Sequence, residues 1–234
     1  MRTAASGEKE ITRLEGFSDA VFGFALTLLV VSLEVPRSYA DLMALMSGFL
    51  SFACCFTLLF WLWWEHNTFF RRYGLRDGVT VVLNGGLLFT MLFYVYPLKF
   101  MFDSLFARWM PTQNGPVRMA LFELANASAV YAAGFVVMML MFVLLYTRAH
   151  AKRHELQLTE LDVFDLKALR GHHLVSVVVG CVSLAIAVWA PLSWAPLAPA
   201  ALGLMGPGHG LWAMRHTRER RGLIARSADT AAVI

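Results

Sequence analysis

RLEGFSDAVFGFALTLLVVSLEVP, residues 13–36, is an apolar run of membrane length with Ser18 and Asp19 lodged in its first turns. A stretch of about 18 or more nearly uncharged residues reads as a membrane-spanning helix. A carboxylate placed in a bilayer costs at least about 2.5 kcal/mol, so Asp19 is a candidate functional residue from the outset. The rest of the chain has the same character. Of its 234 residues, 58% are hydrophobic and only 15% charged, whereas a soluble domain carries roughly a quarter. The apolar residues fall in long blocks rather than stripes, which predicts an all-α, polytopic membrane protein.

Six spans can be drawn, at about 17–35, 42–64, 79–101, 120–146, 174–190 and 193–214. The last holds Pro196, Pro199 and the run Gly206-Pro207-Gly208-His209-Gly210, which should kink or break it. Five spans plus a re-entrant or interfacial piece is the alternative. With six, most of the 20 Lys and Arg residues share one side of the membrane. They sit in the N-terminus (Arg2, Lys9, Arg13), the second-to-third and fourth-to-fifth loops, and the tail (Arg215 to Arg226). Only Arg37, Lys99, Arg108 and Arg118 fall on the other side. The positive-inside rule then makes both termini cytoplasmic, in the inner (plasma) membrane. Topology accounts for the pI of about 9.1, and nucleic acid need not be invoked. The polar first ten residues predict no cleavable leader. Cys54, Cys55 and Cys181 lie inside spans and read as packing residues.

The loops are short, so residues 1–234 form a single transmembrane domain. The longest connection, about 147–173, predicts a short cytoplasmic amphipathic helix with Leu156, Leu158, Leu161, Phe164 and Leu166 on its apolar side. The tail at about 215–234 is polar and expected to fray. No repeat relates the two halves, which weakens an inverted-repeat carrier. A pathway lined by one short chain needs several copies about an axis, so a homo-oligomer with cyclic symmetry in membrane lipid is expected.

On a helical wheel at about 100 degrees per residue, with Asp19 at zero, Phe24, Leu28 and Val31 fall at about 140, 180 and 120 degrees. Thr27 borders them. Asp19 thus points away from an apolar ridge, and polar residues of similar depth are available to satisfy it. A network of Arg13, Ser18, Asp19, His66 and Asn84 would set the tilt and rotation of the first helix. The alternative leaves Asp19 in the headgroup region, where the helix dipole favours it.

The stretch from Arg13 through Phe17-Ser18-Asp19 resembles the opening signature of the transmembrane protein 175 family of potassium channels, in its short prokaryotic form. "WWEHNTFF", with Trp63 and His66, is similar to the family's Trp-x-x-His at the end of helix two. "LNGGLLFTMLFYVYP", with Asn84, Phe89 and Pro97, is similar to its Asn…Phe…Pro of helix three. The resemblance is good over about residues 10–100. It implies a six-helix subunit, a homotetramer, and a first helix lining a central potassium pathway. It further implies a constriction by bulky apolar residues at Phe24, Leu28 and Val31, with a selectivity hydroxyl at Thr27. The family places isoleucine or leucine at the first of these positions, and this chain departs with Phe24.

The expected function is therefore a potassium-permeable cation channel, not an enzyme. Potassium is the permeant species and no cofactor or bound metal is implied. His150 and His154, four apart with no Glu between them, make a poor metal site. Two other classes compete: a proton-coupled carrier relaying through Asp19 and His66, and a haem-binding redox protein using His66, His173 or His209.

Overall fold

The computed structural model describes residues 13–33, 35–106 and 120–232, with side chains through 220. Arg2, Lys9, Arg108, Arg118 and the expectation of no leader lie outside this range. The described chain is helical: α1 (Arg13–Val31), α2 (Tyr39–Ser47), α3 (Phe49–Tyr73), α4 (Gly78–Phe106), α5 (Leu121–Ala151), α6 (Glu160–Trp189), α7 (Leu197–Ala201) and α8 (Met205–Ala232). Five of these, α1, α3, α4, α5 and α6, are long and apolar enough to cross a membrane.

Each long helix buries one stripe. On α1 it is Ser18, Phe22, Ala25 and Leu29, whose spacing of four, three and four residues is the helical repeat. This stripe packs on α3 and α4, while α5 pairs with α4 and with α6. Two glycines set how closely helices approach. A Cβ on Gly134 of α5 would sit 2.6 Å from the ring of Tyr94 in α4, and the Tyr94 hydroxyl donates to the Tyr131 carbonyl at 2.9 Å. A Cβ on Gly171 of α6 would collide with the Trp212 indole of α8, and the indole N–H donates to the Ala168 carbonyl at 3.0 Å.

Three expectations need correction. The connection expected at 147–173 contains no separate amphipathic helix. α5 runs to Ala151, a turn of 152–159 follows, and α6 already starts at Glu160. The reason is a reciprocal cap: the Thr159 hydroxyl accepts from the Asp162 N–H at 3.2 Å, and the Asp162 carboxylate accepts from the Thr159 N–H at 3.2 Å. The polar first turns that result are held by ion pairs. Arg72 lies 3.3 Å from both Asp162 and Asp165. The tail expected to be irregular is instead helix, α8 running to Ala232, and Arg220 reaches Asp165 at 2.9 Å. Finally, the expected second span begins with a separate piece, α2, because the helix is interrupted at Gly48 before α3 resumes.

The stretch expected to be the sixth span is not one regular apolar helix. A 3₁₀ turn at Leu192–Trp194 leads into α7, a second 3₁₀ turn covers Leu202–Leu204, and α8 follows. Pro196 and Pro199 supply the physical cause, since neither has an N–H to give to a helical ladder.

Adding a methyl group at Gly171 must displace Trp212. Gly171→Ala is expected to destabilise the protein by about 1–3 kcal/mol, read as a lower thermal-unfolding midpoint of the purified protein in detergent.

The turn before α4 carries an acid-sensitive clasp. Asp77 accepts from the Thr80 hydroxyl at 2.7 Å and from Arg148 Nε and Nη2 at 3.0 and 2.7 Å. Partial burial pushes its pKa up, but the Thr80 bond and the Arg148 guanidinium outweigh that and lower it from 3.8 to about 2. A depressed carboxylate stabilises the fold above its unfolded pKa and loses that contribution as pH falls through the folded value. The thermal midpoint is therefore expected to drop as pH falls from 3.8 toward about 2. The non-titrating Asp77→Asn should show a smaller drop over the same window.

Candidate functional site

Asn84 of α4 is the centre of the buried polar chemistry. It is 1% exposed, as is His66 of α3, and Ser18 of α1 is fully buried. The Asn84 side-chain amide donates to Ser18 Oγ at 2.9 Å. Ser18 in turn donates to the Leu14 carbonyl at 2.9 Å. Asn84 Oδ1 is therefore the atom that faces His66 Nε2 at 2.7 Å. Since a carbonyl oxygen only accepts, His66 must carry its proton on Nε2. The result is a one-way donor chain, His66 to Asn84 to Ser18 to Leu14, joining α3, α4 and α1. Phe22 and Phe70 flank the imidazole at ring separations of 5.3 and 4.6 Å.

The other residues expected in this network lie apart from the chain. Asp19 is exposed, and its carboxylate accepts the Trp63 indole N–H at 2.8 Å. Arg13 and Phe17 are also exposed, Phe17 by 62%. The wheel explains the split. The buried stripe is centred about a quarter-turn from Asp19, on the side of Ser18, because successive residues are about 100 degrees apart. The side of α1 held by its neighbours is thus the Ser18 side, and Asp19 sits at the edge of the free arc.

That free arc carries the apolar ridge. Phe24 and Val31 are 56% and 70% exposed in the single chain. Leu28 is half-buried, and Thr27 is exposed, its hydroxyl donating to the Gly23 carbonyl of its own helix at 2.9 Å.

A second clamp was not anticipated. Lys99 of α4 donates from Nζ to the Ser32 carbonyl at 2.9 Å, at the far end of α1. A cation there meets the unpaired carbonyls and negative dipole end of the helix. The Ser18–Asn84 pair is separated by 66 residues and the Ser32–Lys99 pair by 67. α1 and α4 therefore run parallel in constant register, tied at both ends. In the sequence, Lys99 stood out only as one of the few bases on the charge-poor side.

The histidines named for haem do not converge. His173 is fully buried, with Nε2 3.6 Å from the Glu65 carboxylate. His209 lies against His172 with ring centres 3.7 Å apart and planes tilted by 33°, and shares a 2.9 Å hydrogen bond with Ser176. His66 instead faces Asn84. Among the described residues, no group of three or more His, Cys, Asp or Glu side chains is placed to hold a metal ion.

Residues 13–94, from α1 to midway along α4, match the family model described as endosomal/lysosomal potassium channel TMEM175. A protein named potassium channel from Marivirga tractuosa is 38% identical over 172 residues, which is 68% of each chain. The chain belongs to the TMEM175 family. A potassium channel from Chamaesiphon minutus is 29% identical over 109 residues, 43% of this chain and 54% of that one. Among solved structures, the potassium channel MtTMEM175, crystallised as a variant with a nanobody–MBP fusion, is 31% identical. It aligns over 93% of this chain and 99% of its own, with a TM-score of 0.78. A homolog, from Chamaesiphon minutus, of the lysosomal potassium-selective channel TMEM175 shares the fold. Its TM-score is 0.57 at 22% identity, over 87% of this chain and 96% of its own. The residues matching the family model include Ser18, Asp19, Trp63, His66 and Asn84, and stop short of Pro97 and Lys99.

Removing the central amide leaves two buried polar groups without their partner. Asn84→Leu is expected to cost about 1–3 kcal/mol, seen as a lowered thermal midpoint. Asn84→Gln, which keeps the amide, should be milder.

Proposed function

We propose that this chain is the subunit of a potassium channel whose constriction is formed by the free arc of α1 from each copy. The channel assignment follows from the family, and it makes the chain a transporter of ions, not an enzyme. Nothing in the comparisons favours the proton-coupled carrier or the haem protein. The constriction residues we propose are Phe24, Leu28 and Val31, with Thr27 as the candidate selectivity hydroxyl.

One observation carries the choice of α1. This helix is tied at both ends to α4 and packs through a single stripe, yet it presents Phe24 and Val31 to the outside of the chain. A helix so clamped can turn that arc to a shared axis without losing its own contacts. We further propose a homotetramer, because a single arc lines only part of a pathway and cyclic symmetry completes it. Six crossings with both termini on the basic, cytoplasmic side of the plasma membrane complete the reading. The α7–α8 region then supplies the sixth crossing. The clustering of basic residues supports this orientation.

The physical logic of the constriction is hydration. A bare cation in an apolar environment costs tens of kcal/mol by Born solvation. A ring of Phe, Leu and Val side chains therefore passes ions only when it is wide enough to leave them partly hydrated, and it closes by dewetting when narrower. Small rotations of α1 switch between these states. The Ser18–Asn84 and Ser32–Lys99 ties are the natural brake on such rotation.

The test is potassium flux into liposomes holding the purified protein. Phe24→Ala is expected to raise flux by opening the narrowest ring. Unchanged flux in Phe24→Ala, Leu28→Ala and Val31→Ala alike would remove α1 from the pathway.

A further inference from the structure

Beside α8, a cavity of about 490 Å³ is lined by Gly208, Leu211, Trp212, Met214, Arg215 and Arg218. Its two ends differ in chemistry. Leu211 and Met214 form an apolar wall, 62% and 56% exposed, and Arg215 and Arg218 form a cationic rim one helical turn further on. The arginines are three residues apart, so their guanidinium groups are neighbours that repel unless an anion lies between them.

Among the described residues no carboxylate lies between them. Arg220, on the same helix, is satisfied by Asp165 at 2.9 Å. Glu219 is the one carboxylate on α8 between 205 and 220, and it faces His216 at 3.6 Å. Among the described residues, neither Arg215 nor Arg218 has a hydrogen bond or ion pair.

Depth fits a lipid. Trp212 is anchored on α6 by its bond to the Ala168 carbonyl, and Arg220 by Asp165. Arg215 and Arg218 therefore lie level with the first, polar turns of α6, where its apolar run gives way to charge. Tryptophan is enriched at this boundary, and basic pockets beside membrane helices hold anionic headgroups.

We infer that this cavity binds an anionic phospholipid, with the phosphodiester between Arg215 and Arg218 and the upper acyl chain along Leu211 and Met214. The bound lipid bridges α8 to the surrounding leaflet and relieves the repulsion between the two arginines. An acyl-bearing anion is favoured over a free one because most of the cavity wall is apolar.

The experiment is native mass spectrometry of the full-length protein in detergent, titrated with equimolar dioleoyl-phosphatidylglycerol and dioleoyl-phosphatidylcholine. The wild type is expected to prefer phosphatidylglycerol, and R215Q/R218Q to lose that preference by about fivefold per arginine. R76Q/K167Q removes the same charge from exposed positions on the same side and is expected to leave the preference intact. Wild-type preference retained in R215Q/R218Q would overturn the site. An equal loss in R76Q/K167Q would overturn it too, by reducing the effect to diffuse surface charge. Excess inorganic phosphate is expected not to displace the lipid, and displacement would refute the lipid assignment in favour of a free anion.

Discussion

A polar side chain buried among membrane helices has no water to turn to, and the organisation of this chain around α1 follows from that constraint. Asn84 has both a donor and an acceptor to satisfy. Its N–H donates to Ser18 on one helix and its carbonyl oxygen accepts a hydrogen bond from His66 on another. A van der Waals contact between α1 and its neighbours tolerates rotation and sliding. A chain of three directed hydrogen bonds does not. Its counterpart at the opposite end, Lys99 on the Ser32 carbonyl, makes the pair a two-point attachment. Together they restrain the rotation of α1, and rotation decides which of its residues face outward.

The same accounting separates the two halves of the molecule. α1, α3 and α4 meet through hydrogen bonds between buried polar side chains. α4, α5 and α6 meet largely through aromatic and aliphatic packing, with glycines where another residue's ring comes close. Charges are kept to the membrane-proximal ends, where Asp77 with Arg148, and Arg72 and Arg220 with Asp162 and Asp165, tie the helix starts together. In water such exposed pairs contribute little. Here they also serve to satisfy the polar turns that cap long apolar helices. Arg215 and Arg218 differ from these pairs: they line a cavity, and among the described residues no carboxylate meets them.

Much of this architecture was legible in the amino-acid order. Block hydrophobicity marked six spans, five of which coincide with helices long and apolar enough to cross a membrane, because a bilayer demands some twenty consecutive apolar residues, a signal that needs no knowledge of neighbours. The Phe17-Ser18-Asp19 opening, the Trp63 and His66 pair, and Asn84 carried the family relationship by local spelling alone. Where the chain reads polar and charged, as at 160–173, the same reading fell short. Composition says that such a stretch avoids lipid, but not that a capping residue at Thr159 will launch a thirty-residue helix through it.

Sequence by itself thus determined the all-helical membrane class, the family, and which polar residues had to find partners. Only tertiary structure decided who those partners are. A helical wheel gives angles relative to its own helix, and nothing in one helix says from which direction the others approach. Asp19 was the conspicuous residue because it is charged, yet the buried bond belongs to Ser18, a quarter-turn away. α3 and α4 arrive on that side, leaving the acid at the edge of the exposed arc with the Trp63 indole. Lys99 was invisible as a clamp for the same reason: its partner is a backbone carbonyl, which every residue has and no sequence pattern marks.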